Sequence, residues 1–173
     1  MRLEADFTSE DEAVTQARSF EAFFEAERDG LFGALVLITG DRHEAEELSQ
    51  DAFLILWERW ERVAAMDNPT GYLYRTAMNL FRKRRRRAAL ALRKVVGLAN
   101  SADAFAAADA RQVVARALAS LSRRQRAALV LTELLEFTSE EAGRALGIRP
   151  VTVRVLASQG RAAMKQNMER SDE

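Results

Sequence analysis

Three stretches of this chain carry side chains whose types and spacing could do chemistry, and in each the chemistry is binding. The first runs T-S-E-E-A-G-R-A-L-G-I-R-P-V-T-V-R from Thr138 to Arg154. Thr138 and Glu141 have the spacing of a capping box. A short helical run follows, Gly147 suits a backbone conformation other residues disfavour, and Pro150 sits in the first turn of a second helix, where a missing N–H costs little. This is a helix-turn-helix layout. Ala142, Leu146, Ile148 and Val153 would pack the two helices together. Arg149, Thr152, Arg154, Val155, Ser158 and Arg161 would face outward, with guanidinium groups for guanine edges or phosphates and hydroxyls for phosphates. A plain hairpin in a helical bundle has the same skeleton, so the outward residues carry the DNA reading.

The second stretch is the run Arg82, Lys83, Arg84, Arg85, Arg86, Arg87. Such a run on one helix puts charge all round the cylinder, which is poor for packing and good for a polyanion. It follows Tyr72, Tyr74 and Asn79, which can stack on and hydrogen-bond to unpaired bases, a combination better suited to melted DNA than to intact duplex. Core packing of the tyrosines and a solvated basic face are the plainer alternatives. The third stretch is a helix over 44–62 whose polar face holds Glu47, Gln50, Asp51 and Glu58. It is a solvated surface or, with Trp57 as an anchor, a docking surface for a protein.

What the chain lacks narrows the rest. Its 173 residues contain no cysteine and one histidine, His43 in a charged turn. Thiolate metal sites, disulfides and most acid–base constellations are excluded. With no glycine-rich phosphate loop either, an enzyme would have to rest on carboxylates alone, so no catalytic residue, metal or cofactor is expected. No apolar run approaches the roughly 20 residues of a membrane helix. The acidic start, Met1 to Asp11, is unlike a signal peptide. A cytoplasmic protein with no membrane partner is the expectation.

The formal net charge is zero, but it is unevenly placed. Residues 1–69 hold six basic and 17 acidic groups, residues 70–96 nine basic and none acidic, and residues 97–173 11 basic and nine acidic. A polyanion meets the local field, screened over about 10 Å, rather than the total.

The elements that must position these groups are helices. Ala, Leu, Glu and Arg dominate and strand-like alternation is scarce. The expected fold is all-α: two small helical domains joined by a flexible linker, the C-terminal one a helix-turn-helix. Residues 1–18 read as an acidic, disordered arm. The first domain spans 19–96, with a helix from Ser19 to about Thr39 stopped by Gly40, a second opened by Asp41 and ending near Ala65, a turn over Asp67–Gly71, and one long helix from Tyr72 to Val96. The weakly patterned 97–109 is the linker. The second domain spans 110–173, with a helix over Gln112–Ser120 and another capped by Ser122 and Gln125 before the helix-turn-helix.

This order of parts resembles the extracytoplasmic-function (ECF) sigma factors of bacterial RNA polymerase, in the sigma-70 superfamily. E-A-E-E-L-S-Q-D-A-F-L-I-L-W (44–57) looks like that family's core-polymerase-binding segment. N-P-T-G-Y-L-Y-R-T-A-M-N-L (68–80) is similar to its minus-ten melting segment. L-A-S-L-S-R-R-Q-R-A-A-L-V-L (118–131) with the helix-turn-helix looks like its minus-35 domain. The resemblance implies promoter recognition, promoter melting and transcription initiation with core polymerase, through the clamp helices of the largest subunit and the flap of the second-largest. It places Glu47, Gln50 and Asp51 on the clamp helices, with Leu48, Phe53 and Trp57 supporting or joining that surface. Tyr72, Tyr74 and Asn79 would hold an everted base, Arg82 to Arg87 would grip phosphates, and Thr152, Arg154, Ser158 and Arg161 would face minus-35 duplex. Factors of this type are often held by an anti-sigma protein, and a flexible linker would permit it. Two departures stand out. Leu156 and Gln159 occupy positions where arginine is common, with Val155 for serine and Gly160 for alanine, and Lys83 replaces a frequent acid. They suggest a minus-35 helix weakened relative to the central one. The alternative is a conventional helix-turn-helix regulator that binds duplex DNA as a dimer, for which a basic run after an aromatic loop is awkward.

Overall fold

The computed structural model describes residues 5–94 and 116–171, with side chains described over 20–90 and 116–169. The expected linker at 97–109 and the first four residues of the helix expected over 112–120 lie outside these; 116–119 are helical as expected. Among the described residues the secondary structure is helical: α1 (Ala5–Thr39), α2 (Arg42–Trp57), α3 (Trp60–Ala64), α4 (Pro69–Lys94), α5 (Arg123–Leu129), a π-helical turn (Val130–Leu134), α6 (Ser139–Leu146) and α7 (Pro150–Ser171). No described helix is long and apolar enough to cross a membrane.

Local chemistry sets most of the boundaries. Gly40 takes φ 73°, and its N–H reaches the Val36 carbonyl at 2.9 Å, ending α1. The Asp41 carboxylate accepts from the His43 and Glu44 N–H groups at 2.8 and 3.1 Å and opens α2. Asn68 does the same for α4, its Oδ1 accepting from Gly71 N–H at 2.6 Å, with Pro69 as the first helical residue. Ser122 with Gln125, and Thr138 with Glu141, form reciprocal capping boxes on α5 and α6, satisfying N–H groups that a helix start leaves unpaired. Four boundaries differ from the sequence expectation; α4 takes in Pro69–Gly71, the second half of the turn expected over Asp67–Gly71. Helix α1 begins at Ala5, well before Ser19. The acidic helix breaks at Glu58–Arg59 into α2 and α3, so that Trp60 turns into the core at 7% exposure. Helix α5 runs into a π turn in which Leu135 N–H reaches past one turn to the Val130 carbonyl at 3.1 Å.

Helices α1, α2 and α4 form the first domain around Leu31, Leu35, Ile38, Leu48, Leu56, Leu73 and Met78. Phe20 and Phe24 extend this core outward onto Phe53, Trp57 and Trp60, with ring centroids 4.8 to 6.5 Å apart, a range in which edge-to-face pairs are favourable. Helices α5, α6 and α7 enclose Ala127, Leu131, Ala142, Ala145, Val153 and Ala157. The two sets join in one continuous core. The π turn carries the chain round so that Phe137 meets Tyr74 of α4 edge-on at 5.2 Å.

Two glycines mark how closely the second domain packs. A Cβ on Gly143 would come 2.9 Å from the Ile148 carbonyl oxygen, whereas one on the buried Gly160 of α7 would make ordinary 3.6 Å contacts with Gln125, Leu121 and Leu129 of its neighbours. Alanine is better than glycine inside a helix by about 0.5–1 kcal/mol. Gly160→Ala should therefore raise the urea midpoint of unfolding by about that free energy, and Gly143→Ala should lower it. A destabilised Gly160→Ala chain would mean that α5 and α7 approach more closely than they do here.

Candidate nucleic-acid and polymerase interface

The outer face of α2 presents Glu47, Gln50, Asp51, Leu54 and Trp57 at helical spacing. Leu54 is 57% and Trp57 48% exposed, although Trp57 is braced from behind by the Phe20 ring at 4.9 Å. Leu48 and Phe53 are buried, so they support this face from within. Leu54 was not singled out by the sequence. It sits in the run Leu54-Ile55-Leu56, where only the helix phase decides which side chain faces out. A rigid aromatic beside an exposed leucine and a ring of carboxylates is a surface suited to a protein partner.

Helix α4 does not present its candidate residues as one surface. Tyr72 is half-buried at the start, its phenol oxygen accepting from Arg59 at 3.5 Å and Arg62 at 3.4 Å. The Arg59 hydrogen bond, opposed by partial burial and helped by Arg62, holds its pKa below the ordinary tyrosine value. Tyr74 is 2% exposed against Phe137, and burial pushes its pKa up to about 12. In this arrangement Tyr74 is a core residue and cannot stack on a base. Asn79 is exposed and its Oδ1 accepts from Arg82. Arg82 also donates to the Leu146 carbonyl at 2.7 Å, closing the C-terminal end of α6 from the other domain. Arg84 points back to α2 and pairs with Glu47 and, at 2.8 Å, Asp51. Burial opposes its charge, but these two carboxylates outweigh that and hold its pKa above the ordinary arginine value. Of the six-residue run, Lys83, Arg85, Arg86 and Arg87 stay exposed.

The helix-turn-helix forms as its sequence demands. Gly147 ends α6 in the left-handed region at φ 64°, ψ 39°, and Val153 is fully buried while Leu146 and Ile148 pack on the core. Arg149, Arg154, Val155, Ser158 and Arg161 are exposed and Thr152 is half-buried. Arg154 lies 3.8 Å from Glu140, and Arg161 pairs with Glu133. All four of these side chains are about half exposed or more, so each pair is worth no more than about 1 kcal/mol and yields readily to a phosphate. The position of Leu156 is half-buried against the core, not on the outer face.

Comparison with known proteins covers both halves. Residues 23–91 match the family described as Sigma-70 region 2, and residues 111–164 match Sigma-70, region 4. The fold is similar to that of a solved structure, the sigma factor RpoE in complex with the anti-sigma factor NepR from Bartonella quintana, with a TM-score of 0.76. That likeness covers 88% of this chain and 98% of the other at 20% identity.

Arg82 lies over the turn that Gly147 makes, and a Cβ at 147 would run into its guanidinium. Gly147→Ala should cost about 1–3 kcal/mol for the left-handed conformation alone. Because the contact adds to this, combining it with Arg82→Ala should recover at least about 0.5 kcal/mol in a double-mutant cycle read by urea unfolding. Strict additivity would show that Arg82 does not cover the turn.

Proposed function

This chain belongs to the sigma-70 family of RNA polymerase sigma factors, and we propose how its parts divide the work of initiation. It is a sigma factor of the extracytoplasmic-function type, in which regions 2 and 4 follow each other along the chain. It acts by binding, with no reaction of its own, in the cytoplasm where the polymerase works. The exposed face of α2, with Glu47, Gln50, Asp51, Leu54 and Trp57, docks on the clamp helices of the largest polymerase subunit, and the second domain reaches the flap of the second-largest. The loop before α4, Tyr72 and Asn79 engage the nontemplate strand at minus-ten, while Lys83 and Arg85 to Arg87 hold phosphates. Helix α7 lies against the minus-35 duplex through Arg149, Thr152, Arg154, Val155, Ser158 and Arg161. The single observation that carries the reading is the pairing of a hydrophobic-anchored acidic face with a strongly cationic helix in one domain, ahead of a separate helix-turn-helix.

Two side chains constrain how this can happen. Asn79 is bonded to Arg82, and Arg82 is bonded to α6. Reading single-stranded DNA with them requires α6 to move off α4, as does freeing Tyr74. The similar Bartonella sigma factor is in complex with an anti-sigma factor, and a partner of that kind is proposed here too, acting on the two domains together. The reading as a free-standing dimeric regulator has no observation in its favour.

The test is capture of the full-length protein by core RNA polymerase, followed by transcription in vitro. Leu54→Ala and Trp57→Ala, both at exposed positions, should each weaken core binding by about tenfold or more while leaving the helical circular-dichroism signal intact. No association with core polymerase at low salt, or protection of duplex DNA by the free protein as a dimer, would overturn the proposal.

A further inference from the structure

The anchors on the outer face of α2 are held from behind, each by its own chemistry. Trp57 rests on the Phe20 ring at 4.9 Å. The carboxylates of Glu47 and Asp51 rest on Arg84, which reaches across from α4. Arg84 Nη1 donates to Glu47 Oε2, and its Nη2 donates to Asp51 Oδ2 at 2.8 Å. One guanidinium thus takes one oxygen from each of two acids.

Three features set this contact apart from an ordinary surface ion pair. Glu47 and Asp51 stand four residues apart on α2, a spacing at which like charges on a helix repel. The cation between them removes that repulsion and fixes two side chains that otherwise sample several rotamers. The arginine is also the more covered member. Its side chain is 32% exposed, against 48% for Glu47 and 47% for Asp51, so an approaching surface meets the carboxylates first. Each acid uses one oxygen on Arg84, and the second of each is an acceptor for a donor on that surface. Finally, Arg84 parts company with its neighbours in the sequence. Lys83, Arg85, Arg86 and Arg87 are exposed and offer cations to a polyanion, whereas Arg84 is turned to α2.

We propose that Arg84 is a positioning residue for polymerase docking: it holds Glu47 and Asp51 in the geometry that the core enzyme binds, and acts through them rather than through a contact of its own. The inference rests on the docking role given to α2 above. Ordering flexible side chains is part of the cost of association, and a face ordered in advance avoids it. Arginine suits the task better than lysine because one group must meet two acids. A guanidinium offers donors on separate nitrogens in a rigid fork, whereas an ammonium is a point charge on a flexible stem.

The test is the affinity of the full chain for core RNA polymerase, measured by competition with a fluorescently labelled wild-type chain at about 0.15 M salt. Arg84→Gln should weaken binding by about threefold or more, with the helical circular-dichroism signal unchanged. Arg84→Lys should recover only part of that loss, since it restores the charge without the fork. In a chain already carrying Glu47→Gln and Asp51→Asn, adding Arg84→Gln should cost nothing further, as expected of a residue that acts through those two. An equal loss in both backgrounds would mean a contact of its own or a general effect on the fold, and would overturn the proposal. Full recovery with lysine would overturn it too, since charge alone would then suffice. So would unchanged or tighter binding by Arg84→Gln, the latter showing that the arginine competes with the polymerase for the acids. The docking reading fails in a different way. It falls, and the positioning role with it, if the wild-type chain does not bind core polymerase or if Trp57→Ala binds as well as wild type. If Trp57→Ala weakens binding and Arg84→Gln does not, only the positioning role is lost.

Discussion

Helix α4 has to satisfy two cores with one cylinder. Leu73, Ala77 and Phe81, at four-residue spacing, are buried, and one position on from them Tyr74 meets Phe137 just before α6 and Arg82 reaches the end of α6. Both stripes continue directly into the basic run. Phe81 leads to Arg84 and Arg85, so the run cannot be uniformly solvated whatever its composition. Arg84 meets this constraint by pairing with Glu47 and Asp51. Arg82 meets it by capping the carbonyl end of α6, where a helix leaves acceptors unpaired and its dipole favours a cation. The packing of α6 on α4 and the loss of Tyr74 from the surface both follow from that double burial.

What could be read from the sequence was what short-range chemistry decides. The caps at Asp41, Ser122 and Thr138, the turn at Gly147 and the helix start at Pro150 each depend on groups within a few residues, and each formed. The all-helical class and the membership of the sigma-70 family were legible for the same reason, since they rest on ordered local motifs. The direction of individual side chains was not. Leu54 outward, Tyr74 inward and Arg84 turned to α2 are matters of helix phase and of which neighbour lies across, and single-sequence periodicity resolves those poorly where both faces of a helix carry apolar or charged groups. The π turn was invisible because its defining bond, Leu135 to Val130, is one residue longer than the pattern being sought.

The two departures in the last helix acquire a physical meaning. Leu156 packs on the core from the inner side of α7, so an arginine there would not reach outward phosphates in this arrangement; its replacement by leucine is a packing choice. Gly160 is buried between α5 and α7, but the space around it admits a methyl group, so glycine is not required there by packing. The outward face is therefore less depleted than a count of arginines suggests. It keeps Arg149, Arg154 and Arg161 and adds Val151 and Val155, 48% and 49% exposed. Apolar groups of that size are what contact a thymine methyl in a major groove.

The zero net charge then describes a molecule whose opposite charges meet only in part. The carboxylates of α2 take up Arg84, and those at Glu133 and Glu140 take up Arg161 and Arg154. These pairs are half exposed, each worth at most about 1 kcal/mol, so they order the surfaces without locking them. Where α4 faces α5, Arg82, Arg85 and Arg126 stand near further arginines, and burial first and those neighbours second hold their pKa values below the ordinary arginine value. Desolvation makes like charges harder to hold together there than at the surface, where water and salt screen them. The packing of α6 on α4, with Tyr74 on Phe137, has to outweigh that repulsion.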